Sequence, residues 1–189
     1  MSKVALVTGG TRGIGAAIAK KLKEDGYKVV CTFVGKDEPA QEFSKLTGIE
    51  VYKFDVAYFE SCKSAIVEIE KKYGDVEIVI NNAGITKDRF SHKMAPEEWN
   101  AVINTNLNSL FNICRNVIEK MRVKNFGRIV SLSSINGLKG QVHYEMTKMI
   151  GVNKPIRQEF FILLSSDMTD IISYFNDMSP LSTPTDIMT

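Results

Sequence analysis

The residues of this sequence best suited to acid–base chemistry are a tyrosine and the lysine four positions after it, Tyr144 and Lys148. A phenol has an ordinary pKa of about 10, so it is a weak acid at neutral pH unless its anion is stabilised. A lysine one helical turn away can stabilise that phenolate. Of the six tyrosines, only Tyr144 has a lysine at this spacing. Such a pair is suited to proton transfer, although this spacing also arises by chance.

A second group with evident chemistry is the glycine turn near the start of the chain. Gly9, Gly13 and Gly15 are spaced G-x-x-x-G-x-G, between a short apolar run and a segment of helical periodicity. Glycines let backbone N–H groups approach a pyrophosphate, and the start of the following helix adds positive potential. The stretch 4–15 therefore predicts a nucleotide-binding turn. A glycine turn needed only for tight packing remains the alternative.

The hydrophobic pattern predicts the scaffold that positions both groups. Short apolar, β-branched runs alternate with amphipathic segments, as in βαβ units. We therefore expect an α/β fold, a Rossmann-like doubly wound parallel sheet of order 3-2-1-4-5 with right-handed crossovers. The predicted strands are 4–7, 28–33, 51–54, 76–80 and 128–132, with helices at 14–22, 39–46 and 58–73 and one bent helix or two over 96–124.

Ligands of such sheets bind beyond the carboxyl ends of the strands, so the residues that end each strand belong together. They are small or can form hydrogen bonds, and any one of them alone could be an ordinary turn former. Their occurrence at one edge favours a binding site. Besides the glycine turn, they are Asp55-Val56, Asn81-Asn82-Ala83-Gly84, Ser131, Ser133 and Ser134.

The end of the second strand indicates which dinucleotide is bound. NAD-binding units usually carry an acid there for the ribose hydroxyls, whereas the 2′-phosphate of NADP needs positive charge. The stretch 32–35 contains no acid, and Lys36 and Arg12 are available. NADP(H) is therefore favoured. We interpret Asp37 and Glu38 as solvated charges that open the next helix.

Composition limits the classes of protein to consider. The chain has 189 residues, 44% of them hydrophobic, and a net charge of +2, which suits one globular domain and gives no reason to expect a nucleic-acid partner. We expect no signal peptide, membrane segment or metal site, and a cytoplasmic location. The single cysteines are expected to be reduced and buried. They are Cys31, Cys62 and Cys114.

The order and near-spacing of several motifs resemble the short-chain dehydrogenase/reductase family over about residues 3 to 148. The resemblance implies an NADP-dependent oxidoreductase that reduces a 3-oxoacyl thioester, with acetoacetyl-CoA as the leading substrate and an acyl-carrier thioester as the alternative. It also implies a homo-oligomer formed through the helices of 96–124. The motifs are Thr8-Gly9-Gly10-Thr11-Arg12-Gly13-Ile14-Gly15, Asp55-Val56, Asn81-Asn82-Ala83-Gly84, Thr105-Asn106-Leu107 and Tyr144-Glu145-Met146-Thr147-Lys148.

By this resemblance, Tyr144 is the catalytic acid and Lys148 lowers its pKa and reaches the ribose. Ser134 is implied to bond the substrate carbonyl, with Ser133 a near-equal candidate, and Asn106 to order a helix and a proton-relay water. Asp55 would meet the adenine, and residues 82–84 the nicotinamide ribose. The implied cofactor-binding residues are Gly9, Thr11, Arg12, Gly13, Ile14, Gly15, Asp55, Val56, Asn82, Ala83 and Gly84.

The sequence departs from the family pattern at two places after the fifth predicted strand. The segment between Ser134 and Tyr144 is about three residues short, and we expect the sheet to lack the family's last two strands. We therefore predict an NADP-binding domain with the catalytic motif over 1–150, and a divergent tail over 151–189 that forms one helix from about Ile156 to Asn176 and no separate domain. A truncated nucleotide-binding remnant without turnover stays open as a hypothesis.

A third hypothesis is an interaction protein that binds an acidic partner, such as an acyl carrier, through a basic cluster. The cluster comprises Lys120, Arg122, Lys124 and Arg128. We favour its interpretation as an ordinary solvated helix end.

Overall fold

Strands and helices alternate along the chain, which a computed structural model describes at residues 2–87, 89–134 and 157–163. Each of the first four strands is followed by a helical segment, as the apolar pattern predicts. The elements are β1 (Val4–Val7), α1 (Gly13–Glu24), β2 (Lys28–Phe33), α2 (Asp37–Thr47), β3 (Glu50–Lys53), α3 (Phe59–Tyr73), β4 (Val76–Asn81), α4 (Pro96–Ile103), α5 (Ser109–Val123), β5 (Arg128–Ser134) and β6 (Arg157–Leu163).

The described strands form one parallel sheet in the order β3-β2-β1-β4-β5-β6. The predicted order of the first five is confirmed. All four residues of the central β1 are buried, because helices cover both faces of the sheet. Val4 and Leu6 pack with α3 and α5 on one face, and Ala5 and Val7 pack with α1 and α2 on the other.

The strand β6 corrects the prediction for the tail. Residues 157–163 pair in parallel with β5, from Arg128 opposite Arg157 to Ser134 opposite Leu163, so a helix starting at about Ile156 is wrong for this stretch. The expectation that no sixth strand follows β5 is also wrong. Phe160 to Leu163 form an apolar, aromatic run suited to a strand, and the edge of β5 offers backbone partners. The helical spacing came from positions after 163, outside the described residues.

The bent helix predicted over 96–124 consists of two α-helices joined by a π-turn. Helix α4 leads into the turn at Asn104–Asn108, and α5 follows without a break in helical backbone. Asn106 lies inside the turn and is 1% exposed. Such turns insert one extra residue into a helix and occur frequently at functional sites.

Candidate active site

The glycine turn between β1 and α1 has a backbone that requires glycine. Gly9 and Gly13 have φ angles of 62° and 55°, in the left-handed region that side chains disfavour. A Cβ atom on Gly15 would lie 2.5 Å from the Nδ2 atom of Asn82 and equally close to the backbone oxygen of Gly9. Glycine is therefore required at residues 9 and 13 by the backbone conformation and at residue 15 by close packing against Asn82 and Gly9.

The first turn of α1 is free of competing negative charge. Arg12 precedes the helix with extended backbone, and no side chain among the described residues caps the helix N–H groups. The first turn contains no acid either. Uncapped N–H groups and the positive end of the helix dipole suit a phosphate. Together with the glycine backbone, they fit the pyrophosphate of a dinucleotide.

Side-chain hydrogen bonds join the end of β1 to the end of β4. The hydroxyl of Thr8 accepts bonds of 3.0 Å from the backbone N–H groups of both Asn82 and Ala83, and donates to the Ile80 oxygen at 3.3 Å. The Asn82 amide returns bonds of 2.9 and 3.0 Å to the backbone oxygens of Thr8 and Gly9. These reciprocal bonds fix the glycine turn relative to residues 82–84.

The other side of the glycine turn is bonded to β2. The N–H of Gly9 donates to the Thr32 hydroxyl at 3.2 Å, and the N–H of Gly10 to the Thr32 backbone oxygen at 3.1 Å. A Cβ atom on Gly10 would lie 2.5 Å from the sulfur of Cys31. Thr32 was not among the site residues predicted from the sequence. The available signal was a threonine near the end of a mostly apolar strand.

The turn after β3 carries Asp55 and Val56. One carboxylate oxygen of Asp55 accepts a 2.9 Å bond from the N–H of Ala57, which shapes the turn before α3. Val56 is buried, whereas Asp55 is half-buried. The carboxylate of Asp55 thus lies at the same edge of the sheet as the glycine turn.

The end of β2 presents positive charge. Arg12 and Lys36 are exposed, and neither forms an ion pair with any described residue. Asp37 and Glu38 lie in the first turn of α2, and Asp37 pairs with Lys53 at 2.8 Å. The interpretation of these two acids as helix-opening charges is confirmed.

The loop after β4 is held by Asn106. Its Oδ1 atom accepts a 2.8 Å bond from the N–H of Ile85, and its Nδ2 atom donates to the oxygen of the same residue at 3.0 Å. A Cβ on Gly84 would contact Asn106 at 3.4 Å. Asn106 therefore orders the backbone of residues 84–85, at the predicted nicotinamide end.

The structure describes only part of the predicted catalytic set. Ser134 ends β5, but its side chain, Tyr144 and Lys148 lie outside what the structure describes. Ser131 lies within β5 and is 3% exposed, so it does not end the strand as expected. Its hydroxyl accepts a bond from Asn81 at 3.3 Å.

The three cysteines are free thiols, as predicted, but only Cys31 and Cys62 are buried, and the expectation is wrong for Cys114, which is half-buried. Burial raises the pKa of Cys31 and of Cys62 to about 12, and that of Cys114 to about 11. They therefore stay protonated and are poor nucleophiles at neutral pH.

The described residues contain neither a metal-binding cluster nor a membrane-spanning helix. No group of three or more His, Cys, Asp or Glu side chains there is placed to hold a metal ion. No helix in the described ranges has the length and apolar character needed to cross a membrane.

The two lysines of the basic cluster form ion pairs with acidic side chains of the same chain. Lys120 contacts Glu70 at 2.5 Å and Asp75 at 3.3 Å, and Lys124 contacts Asp75 at 3.0 Å and Glu77 at 3.8 Å. Hydrogen bonds from Lys124 first, and then Lys120, lower the pKa of Asp75. These pairs support the interpretation as a helix end and leave little charge for an acidic partner.

The remaining members of the cluster are also engaged. Arg122 pairs with Glu119 at 2.6 Å. Arg128 is 7% exposed and lies over the ring of Phe126.

Comparison with known proteins decides the family. A model of the short chain dehydrogenase family matches residues 3–150. The chain belongs to this family. As a short chain dehydrogenase it is an oxidoreductase with a nicotinamide cofactor, in agreement with the resemblance of its motifs.

Several members of the short chain dehydrogenase family are similar to this chain. It is 52% identical over 164 residues to the acetoacetyl-CoA reductase of Shinella zoogloeoides and 50% identical to that of Rhizobium meliloti (strain 1021); each comparison covers 84% of this chain and 68% of the relative. Identity to the 3-oxoacyl-[acyl-carrier-protein] reductase of Staphylococcus epidermidis is 39% over 169 residues, covering 84% of this chain and 69% of the relative. These two acetoacetyl-CoA reductases are thus more similar to this chain than the carrier-protein enzyme is.

Proposed function

We propose that this chain reduces a 3-oxoacyl thioester, with acetoacetyl-CoA as substrate and NADPH as hydride donor. One observation carries the proposal: acetoacetyl-CoA reductases share about half of their aligned residues with this chain, across the part that builds the dinucleotide edge. The carrier-protein thioester is the second substrate class, supported by the more distant reductase.

NADP(H) is proposed over NAD(H) because of the charges beside β2. Arg12 lies in the turn after β1 and Lys36 in the turn after β2, both are exposed, and no acid lies at residues 32–36. Guanidinium and ammonium groups bind phosphate well through charge-assisted hydrogen bonds. We expect Arg12→Ala to weaken NADPH more than NADH, measured by titration of both.

The proposed roles follow the chemistry of ketone reduction. A bound NADPH supplies the hydride that the carbonyl carbon needs. Tyr144 donates a proton to the carbonyl oxygen, Lys148 lowers the pKa of that phenol, and Ser134 donates a hydrogen bond to the same oxygen. Asn106 fixes the loop at Ile85, because its amide bonds both the N–H and the carbonyl oxygen of that residue.

The test follows NADPH consumption by the purified chain with acetoacetyl-CoA, beside Tyr144→Phe. Wild-type turnover that falls at least about a hundredfold in the variant supports the proposed enzyme, since general acids contribute roughly that much. An acetoacetyl carrier-protein arm compares the two thioesters. Turnover unchanged by Tyr144→Phe would contradict the assignment of the acid.

Nucleotide binding without turnover is the second candidate, and the short segment between Ser134 and Tyr144 favours it. Only nine residues separate them, and a misplacement of about 1 Å can cost roughly a hundredfold in rate. An NADPH-induced rise in melting temperature without turnover would select this candidate.

Self-association and a cytoplasmic location complete the proposal. On α5, Phe111 is 63% exposed and stacks with Phe59 at a ring distance of 6.1 Å, which supports a contact with a second copy. Phe111→Lys should lower the mass measured by sedimentation. Free cysteines support a reducing compartment, which cell fractionation would test.

A further inference from the structure

Helix α5 places one buried amide against the turn that follows β3. Asn112 is 6% exposed, and its Nδ2 atom donates a 2.9 Å hydrogen bond to the backbone oxygen of Val56. The two residues are 56 positions apart in the chain, so the bond joins the helix to a distant loop. Val56 is itself buried, and a buried carbonyl without a partner is costly.

The same oxygen has one weaker donor. The Sγ atom of Cys62 lies 3.5 Å from the Val56 oxygen. Burial, followed by the charge of Asp55, raises the pKa of this thiol to about 12, so it remains an S–H donor. A thiol is a weak donor, however, and cannot replace an amide. The Asn112 amide is therefore the strong bond that fixes this carbonyl.

The other polar anchor of the same helical segment is Asn106, six residues earlier in the chain. Asn106 bonds the backbone of Ile85 after β4, and Asn112 bonds the backbone of Val56 after β3. One continuous segment thus sets two loops that lie on opposite sides of the glycine turn. A shift of α5 would move both loops together.

We propose that Asn112 is a positioning residue for the adenine end of NADP(H). By fixing the Val56 carbonyl, it holds the neighbouring Asp55 carboxylate in place for the base. This inference rests on the proposed function and on the family resemblance, which implies that Asp55 meets the adenine. Asn112 does not touch the cofactor in this role, and its loss affects one half of the dinucleotide.

The experiment measures the binding of the two halves of the cofactor separately. Adenosine 2′,5′-bisphosphate probes the adenine half, reduced nicotinamide mononucleotide probes the other half by its fluorescence, and NADPH probes both. Asn112→Leu keeps the branching of the side chain at Cγ, is larger, and has no donor. We expect it to raise the Kd of NADPH and of the bisphosphate about tenfold, and to leave the mononucleotide within about twofold of wild type.

Asn116→Leu is the matched control on the same helix. Its amide donates only to the backbone oxygen of Asn112 among the described residues, one turn farther from the loop. We expect this variant to bind all three probes as the wild type does. Equal losses in both variants would overturn the positioning role, because a general loosening of α5 would then explain them.

Asn112→Asp keeps the test decisive if the leucine variant does not fold. At neutral pH a carboxylate at residue 112 repels the Val56 oxygen, whereas a protonated carboxyl can donate to it. Affinity for the bisphosphate, relative to wild type at each pH, should recover as the pH falls. A constant ratio across pH would overturn the proposal.

The outcomes separate this inference from the function on which it rests. Wild-type chain that binds none of the three probes would overturn the proposed function itself. Wild-type binding with an unaffected Asn112→Leu, or with equal losses of both half-cofactors, would overturn the positioning role alone.

Discussion

At the carboxyl ends of the strands, buried and half-buried hydroxyls and amides bond to backbone groups of distant loops, whereas at the amino ends exposed lysines pair with acids. Thr8, which is buried, and Asn82, which is half-buried, represent the first edge, with bonds of 2.9 to 3.3 Å. Lys124 represents the second, with its side chain 41% exposed and those of its partners Asp75 and Glu77 33% and 20% exposed. The two edges thus hold their polar contacts in different surroundings.

The difference concerns which interactions water can replace. A buried donor or acceptor that loses its partner pays its full desolvation cost, but an exposed ion that loses its partner is solvated. Substituting a neutral group at the carboxyl edge should therefore lower the free energy of unfolding more than substituting a lysine at the amino edge. The loss should also depend less on salt. That suits an edge whose loops must stay fixed around a dinucleotide.

The largest effect is expected from Asn82→Leu. The variant removes two bonds to the oxygens of Thr8 and Gly9, and its branched side chain crowds Gly15. We expect a loss of about 3 kcal/mol in the free energy of unfolding and roughly hundredfold weaker NADPH binding. Denaturant unfolding and ligand titration measure both. A loss below about 1 kcal/mol would break the contrast between the edges.

Thr8→Val should have the next largest effect. It keeps the shape of the side chain but leaves the N–H groups of Asn82 and Ala83 without the hydroxyl that accepts from both. We expect about 2 kcal/mol of destabilisation, independent of salt. Thr8→Ser retains the oxygen and should lose less than half as much. Equal losses would mean that the methyl group contributes as much as the hydroxyl, and would break the contrast between the edges.

Lys124→Met tests the amino edge. The lysine is 41% exposed and pairs with Asp75 and Glu77, whose side chains are 33% and 20% exposed, so solvent screening limits its contribution to about 1 kcal/mol or less. Denaturation with urea at low and high salt should show the difference from wild type shrinking as salt rises. A salt-independent loss would place this pair with the buried bonds of the other edge.

The smallest effect is expected from Asp75→Asn at acid pH. Lys124 and then Lys120 lower the pKa of Asp75 below its ordinary 3.8, so the folded state binds its proton less readily than the unfolded state. This contribution is present above about pH 4 and is lost as the pH falls through 3.8 and below the lowered value. The free energy of unfolding of the variant, measured by urea denaturation, should fall less steeply with acid than that of the wild type, by a few tenths of a kcal/mol. An unchanged slope would contradict the pairing.

Local patterns predicted most of the scaffold. The apolar run at 4–7 and the glycines after it specify a buried strand and a turn by residue type alone, and both are present. The first five strands followed for the same reason. Strand β6 did not, because its first three residues are polar or charged and helical spacing beyond it dominated the interpretation.

The site was less accessible to sequence reasoning because its contacts are long-range. Asn106 was found only through the family resemblance, and Asn112 was not found at all. Its bond to Val56 depends on how α5 lies over the turn after β3, which no spacing within either segment encodes. Polar residues at positions where the helical period demands apolar ones were the one available signal.

The π-turn at Asn104–Asn108 has a consequence for how this gene can change. Losing a single codon there would let the helix continue in regular α form, which is locally more favourable. Because the π-turn already accommodates one extra residue, the residues after the deletion would keep their orientation around the helix axis, and Ile113, Val117 and Asn112 would keep their partners. The deletion would instead remove the turn that places Asn106 against Ile85. The shortest in-frame deletion in this helix should therefore spare the core and disturb the loop after β4.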